Sequence, residues 1–139
     1  MPCQRPWDGR DVDLTLDNVT IRNVNTNGVS MTTTKGQVVA SFNNVRIDAT
    51  SVAIAALGLV RANVDNVMLV HNSTGIKITG SDNIINVDNS KISYAKTGVM
   101  NLDGSIVRIS NSVITQNATG LQPMAVRSCR CLTMSVPKL

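Results

Sequence analysis

The sequence predicts an all-β fold: a right-handed parallel β-helix, or solenoid, of about five coils with three short strands in each coil. The first observation is a repeat, in which asparagines recur at gaps of 26, 22, 23 and 22 residues, at Asn18, Asn44, Asn66, Asn89 and Asn111. The second is that an apolar residue stands two positions before and three positions after each of them. The third is that Val, Ile, Thr and Asn dominate the unit, and these residues disfavour a helix. A period of this length indicates a chain that stacks one short unit on itself.

The first strand of each unit precedes the asparagine, where two apolar residues flank a polar one, as in Val107-Arg108-Ile109. This alternation is typical of a strand with one buried face. The second strand follows the asparagine, and the third follows a small residue that has an aliphatic neighbour. The third-strand positions align as Gly28-Val29, Ser51-Val52, Gly75-Ile76, Gly98-Val99 and Gly120-Leu121.

Each repeated asparagine predicts a sharp corner between the first and second strands. Asparagine tolerates the left-handed backbone region better than any other non-glycine residue. Corners stacked about 4.8 Å apart can also exchange side-chain amide hydrogen bonds. We therefore predict a structural Asn ladder formed by Asn18, Asn44, Asn66, Asn89 and Asn111. The right-handed winding follows from the general handedness of parallel crossovers.

The 139 residues are enough for one domain. We predict a lead-in or cap over residues 1–10, the β-helix over residues 11–122, and an atypical tail or cap over residues 123–139, which contain no Asn, Gly, Ile or Asp. Trp7 and Pro6 are expected to plug the N-terminal mouth of the column. Open solenoid ends expose strand edges, so we also expect a homo-oligomer formed through them.

The net charge of +4 does not indicate a nucleic-acid partner, because residues 11–121 hold eight Lys or Arg and eight Asp. No apolar run approaches the roughly 18 residues of a membrane span, so no membrane partner is expected. The first residues lack the apolar stretch of a secretory signal, and the compartment stays unknown. Cys3, Cys129 and Cys131 do not complete a zinc set, and no cofactor is predicted.

Residues 107–121, with Val87-Asp88-Asn89 and Val64-Asp65-Asn66, resemble the bacterial right-handed parallel β-helix repeat proteins, relatives in shape of pectate lyases and polygalacturonases. The resemblance covers about residues 11–121. It implies an active groove over the third strand, with catalytic Asp residues projecting from it. The outward positions there are expected to be Ser30, Ala53, Lys77, Met100 and Gln122, and none of these is acidic. The family's catalytic residues therefore have no counterpart in this sequence.

The strongest candidate for a ligand site is a mixed polar and aromatic patch, formed by His71, Lys77, Tyr94 and Lys96. An ordinary solvated surface is the leading interpretation of this patch, and a site for a sugar or a carboxylate-bearing ligand is the alternative. The sequence suggests no acidic partner for His71. A carboxylate in this region would favour catalysis.

Asp65 and Asp88 precede consecutive asparagines of the Asn ladder and are expected to stack about 4.8 Å apart. Turn capping is the leading interpretation of this pair. A cation site and a retaining-glycosidase pair are the alternatives. Three N-x-T or N-S-T acceptor sequences, at Asn18, Asn72 and Asn117, are expected by chance in a chain so rich in Asn and Thr.

The sequence thus predicts a non-catalytic β-helical module that binds a partner or acts as a scaffold, with a carbohydrate as the favoured ligand. The alternative is a diverged polysaccharide lyase or glycoside hydrolase.

Overall fold

The computed structural model describes residues 11–33, 36–80, 82–102, 105–123 and 134–135. All of its elements are strands: β1 (Val12–Asp17), β2 (Thr20–Thr32), β3 (Val38–Leu57), β4 (Val60–Val70), β5 (Thr74–Thr79), β6 (Ile84–Asp88), β7 (Lys91–Ser93), β8 (Thr97–Asn101), β9 (Ile106–Ser110), β10 (Ser112–Thr115), β11 (Thr119–Pro123) and β12 (Met134–Ser135). They form an all-parallel β-solenoid of about five coils, which confirms the predicted fold class. Within the described ranges no helix could span a membrane.

Each strand pairs with its copy one coil away, so the solenoid has three faces. The first face contains β1, the start of β3, the start of β4, β6 and β9. The second contains the start of β2, the middle of β3, the end of β4, β7 and β10. The third contains the ends of β2 and β3, followed by β5, β8 and β11. The predicted order of three strand segments per unit is therefore correct, although several segments run on through the corners as one strand.

The core is a column of apolar side chains, nearly all of them aliphatic, that point inward from every coil. On the first face, Leu16 pairs with Phe42, Phe42 with Val64, Val64 with Val87, and Val87 with Ile109. The last four of these are at most 1% exposed. Each fully buried aliphatic side chain stabilises the fold by about 1.5–3 kcal/mol, so inward positions tolerate polar residues poorly.

Two corners of each coil use a left-handed backbone. The five asparagines of the Asn ladder have φ between 47° and 57°, as predicted. A second corner lies five residues after each of them, with φ between 55° and 58°, at Asn23, Ala49, His71, Tyr94 and Gln116. No sequence pattern revealed this second corner, because its residues share no side-chain type.

The third strand of the second coil is shifted by two residues from the predicted alignment. Val29 pairs with Ile54, and Ile54 pairs with Ile76, so Ala53 rather than Ser51 occupies the small-residue position. Ala53 is therefore buried rather than outward, and Ala55 stands beside Lys77. The prediction was wrong because an alternating pattern repeats every two residues and Ser51-Val52 fits it as well as Ala53-Ile54.

The ends of the solenoid differ. In the first coil Leu14 is only partly buried, whereas its partner Ala40 is 1% exposed, so the described column is open there. At the other end β12 adds a rung to the second face, with Met134 paired to Ser112. The predicted plug of Pro6 and Trp7 and nearly all of the tail lie outside the described residues, and the homo-oligomer stays a prediction.

Candidate functional site

A groove of about 440 Å³ runs along the second face, parallel to the solenoid axis. We call it the axial groove. It crosses four coils and is lined by Asn18, Thr20, Asn44, Val45, Arg46, Asn66, Val67, Met68, Asn89, Ser90 and Lys91. One wall is formed by the first four asparagines of the Asn ladder, without Asn111. The floor is made by the outward residues two positions after each asparagine, which are in register from Thr20 through Arg46 and Met68 to Lys91.

The side chains of the Asn ladder hydrogen-bond along the axis, but not all to one another. Asn44 Nδ2 donates to Asn18 Oδ1. Asn89 Nδ2 donates instead to Asp65 Oδ1 at 3.2 Å, and Asn111 Nδ2 to Asp88 Oδ1 at 3.0 Å. The predicted ladder is thus a mixed asparagine and aspartate ladder, because in both cases the aspartate that precedes the ladder asparagine of the coil before offers a charged acceptor.

Positive charge dominates the axial groove. Among the residues that the structure describes, Arg46 and Lys91 are the only charged ones that line it, and none adds a carboxylate. They stand two coils apart in register, about 10 Å along the axis at the usual strand spacing. Arg46 Nη2 is held 3.3 Å from Asp48 Oδ2, so part of its charge is compensated at the edge of the groove. An extended ligand with anionic groups fits this field.

The corner after the second face carries two of the predicted patch residues. The rings of His71 and Tyr94 stack with centroids 5.2 Å apart and an angle of 18° between their planes. His71 Nδ1 lies 3.1 Å from Asp48 Oδ1. The expectation that His71 has no acidic partner is therefore wrong: the stacking of coils brings Asp48, 23 residues earlier, beside it. We call Asp48, His71 and Tyr94 the His-Tyr ridge.

The pKa of Asp48 is lowered in this cluster. Partial burial acts to raise the pKa of the carboxyl, but the hydrogen bonds and positive charges of Arg46 and His71 outweigh it. The sequence contained a usable signal, because Asp48 directly precedes a corner residue and stands four positions after a ladder asparagine.

The two lysines of the predicted patch lie elsewhere on the coils. Lys77 is on the third face, where it pairs with Ala55 and Met100. Lys96 is exposed on the segment between Tyr94 and β8. Across the described residues, no hydrogen bond, ion pair or ring contact links either lysine to His71 or Tyr94. The contacts join His71 to Tyr94 and add Asp48 and Arg46, which were not among the predicted patch residues.

Asp65 and Asp88 are in register on the first face, as expected. They line a second groove of about 390 Å³ with Asn63, Val64, Asn86, Val87, Arg108 and Ser110. Asp88 Oδ1 accepts hydrogen bonds from Ser110 and Asn111 of the next coil. Both aspartates thus bind side chains one coil on rather than their own turns. No group of three or more His, Cys, Asp or Glu that could hold a metal occurs among the described residues.

Two of the asparagines in the glycosylation-type sequences, Asn72 and Asn117, hydrogen-bond backbone groups inside the fold. Asn72 is 3% exposed, and its Oδ1 accepts from Thr50 N while its Nδ2 donates to Ile47 O. Asn117 binds Ala95 N and Ile92 O in the same way two coils later. Their amide nitrogens are therefore engaged inside the fold. Asn18, at the first corner, is exposed.

Comparison with known proteins adds no family to these observations. No protein-family model matches the chain, and no curated protein or solved structure matches it significantly. The parallel β-solenoid therefore rests on the structure itself.

Proposed function

We propose that this protein is a non-catalytic binding module that holds an extended, acidic carbohydrate in the axial groove. The observation that carries the proposal is the lining of this groove. It combines a wall of asparagine amides with Arg46 and Lys91, and none of the described residues contributes a carboxylate to it. Carboxylates of a ligand would pair with the two cations, and its hydroxyl groups would exchange hydrogen bonds with the amides.

The shape of the axial groove supports a linear ligand. The groove spans four coils, or about 14 Å at the usual strand spacing, and remains one strand segment wide. Met68, 37% exposed between Arg46 and Lys91, offers an apolar contact for a sugar ring. The His-Tyr ridge bounds the same face on its other side, since His71 and Tyr94 stand at the corners where the second-face segments end.

Catalysis is the second candidate, and one observation favours it. Asp48 provides His71 with the carboxylate partner that a general base requires, at 3.1 Å from Nδ1. Against it, the His71 side chain is 60% exposed and is not among the residues that line the axial groove. A site that excludes no water weakens the electrostatic contribution to catalysis. Binding is therefore the better supported proposal.

Descent from the bacterial pectate-lyase-like repeat proteins is also part of the proposal. Its support is the shared plan of three strand segments per coil with an asparagine at one corner. Because one fold hosts many activities, this relation would not by itself assign a substrate.

The decisive test is a binding titration with a labelled uronic acid tetramer and a neutral hexose tetramer of the same linkage. We expect the acidic tetramer to bind more tightly and to weaken with added salt. The double variant Arg46→Gln/Lys91→Gln should weaken it by at least about ten-fold, because two charge-assisted contacts are lost. The matched control, Lys77→Gln/Lys96→Gln, removes equal charge outside the groove and should bind like wild type.

Equal effects of the two double variants would overturn the assignment to the axial groove. Absence of binding by wild type would overturn the proposed function. The same samples, assayed for new reducing ends and for unsaturated products, test the second candidate. Cleavage that disappears in His71→Ala would establish an enzyme instead.

A further inference from the structure

We propose that Asn66 is the residue of the Asn ladder that recognises the ligand, through a hydrogen bond donated by its Nδ2 and another accepted by its Oδ1. This inference rests on the proposed function and assigns its specificity to one side chain. The other asparagines of the groove wall act mainly in the fold.

The hydrogen bonds separate Asn66 from its equivalents. Asn44, Asn89 and Asn111 each donate Nδ2 to the coil before, and Asn18 accepts from Asn44. Within the described residues, the Asn66 side chain makes no hydrogen bond to the protein. Its Nδ2 and Oδ1 are therefore both available, and the residue is exposed.

Asn66 makes the same corner without the axial bond. Its φ of 53° equals that of Asn44, whose amide is bonded. The corner therefore depends on the left-handed backbone and not on the amide contact at this coil. An amide that the fold does not use can bind a ligand without breaking a protein hydrogen bond, which would otherwise offset the gain.

The position of Asn66 is central in the axial groove. It lies in the coil between those of Arg46 and Lys91, on the wall beside Met68. A chain that places anionic groups on the two cations would pass a hydroxyl or carboxylate of its middle unit along this amide. One asparagine can both donate to and accept from such a unit.

Glycine substitutions isolate the amide because glycine keeps the positive φ of the corner. In Asn66→Gly we expect the uronic acid tetramer to bind about five- to ten-fold more weakly, as for the loss of one or two hydrogen bonds. The urea midpoint of Asn66→Gly should stay within error of the wild-type midpoint. In Asn111→Gly, the matched control at a ladder corner outside the groove lining, the midpoint should fall because the bond to Asp88 is lost, while binding stays within about two-fold of wild type.

A second variant tests the chemistry of the contact. Asn66→Asp keeps a residue that tolerates the corner but replaces the N–H donor with an anion, so it should weaken the acidic tetramer more than the neutral one. Tetramer binding by Asn66→Gly at wild-type strength would overturn the inference while leaving the proposed function intact. An equal loss of binding in Asn111→Gly would also overturn it. Wild type that binds neither tetramer would overturn the inference together with the proposed function.

Discussion

His71 and Asp48, which are one coil apart, are joined by a contact of 3.1 Å between Nδ1 and Oδ1. Asp48 also binds Arg46, and together these partners lower the pKa of Asp48 despite its partial burial. A lowered folded-state pKa means that the contact stabilises the fold above the ordinary Asp pKa of about 3.9. This stability is lost as the pH falls through the folded-state value. Asp48→Asn should therefore lower the stability at neutral pH and converge with wild type in strong acid.

Urea midpoints measured from neutral pH to about pH 2 test this expectation. The matched control is Asp13→Asn, at an exposed position of β1. We expect Asp13→Asn to follow the wild-type curve at every pH. A constant offset between Asp48→Asn and wild type, down to the lowest pH, would contradict a role for the Asp48 charge.

Ala49 occupies the second corner with φ of 58°, a conformation that favours glycine. A non-glycine residue in the left-handed conformation costs about 1–2 kcal/mol, and glycine avoids this strain. Part of the gain is lost because glycine makes the unfolded chain more flexible. Ala49→Gly should therefore raise the free energy of unfolding by about 0.5–1 kcal/mol. The control is Ala55→Gly, within the regular third-face part of β3, which should lower it by a similar amount. Destabilisation in both variants would show that Ala49 is not strained.

The contrast between the two corners shows how far the sequence could predict this structure. The first corner was predictable because Asn recurs at it, and asparagine is chosen by the backbone conformation itself. The second corner has the same conformation but carries Asn23, Ala49, His71, Tyr94 and Gln116, so only its spacing could have indicated it. Without that corner, Asp48 could not be placed beside His71.

The axial groove was missed for a related reason. Its floor residues, such as Arg46 and Lys91, are ordinary outward positions of a strand until the wall of asparagines is placed beside them. The predicted patch depended instead on the coil alignment that places Tyr94 and Lys96 beside His71, and on the nearby Lys77. His71 and Tyr94 were correctly brought together because they occupy equivalent positions in adjacent coils, 23 residues apart.

The side chain of Asn72 has a structural role, because it hydrogen-bonds two backbone groups inside the fold. Asn72→Ala would leave Thr50 N–H and Ile47 C=O without their partner, and buried unpaired groups cost about 1–3 kcal/mol each. We expect a loss of about 2–4 kcal/mol in the free energy of unfolding. Urea denaturation measures the loss, and amide hydrogen exchange should report faster opening at Thr50. The control Asn63→Ala, which removes an exposed amide contact with Asn86, should lose less than about 1 kcal/mol. Equal losses in the two variants would contradict this structural role of the Asn72 hydrogen bonds.

Gly98 marks the closest approach of neighbouring coils at the start of the third face. A Cβ built there would lie 2.6 Å from the carbonyl oxygen of Gly120 and 3.0 Å from Ile114 Cγ2. Gly75 makes the same approach to Gly98. Because the obstacle is backbone that is paired in the sheet, the coils would have to separate to admit a methyl group. Gly98→Ala should therefore destabilise the protein by about 1–3 kcal/mol, the usual range for overpacking.

The matched control for this variant is Lys96→Ala, at an exposed position two residues earlier, which should leave the urea midpoint nearly unchanged. The local effect can be followed by hydrogen exchange at Leu121 and Gln122, whose strand β11 pairs with β8. We expect faster exchange there in Gly98→Ala, since the new methyl group would press against the backbone of β11 at Gly120. An unchanged midpoint and unchanged exchange would mean that these coils can move apart freely. Close packing of the coils would then not require a glycine at the start of the third face.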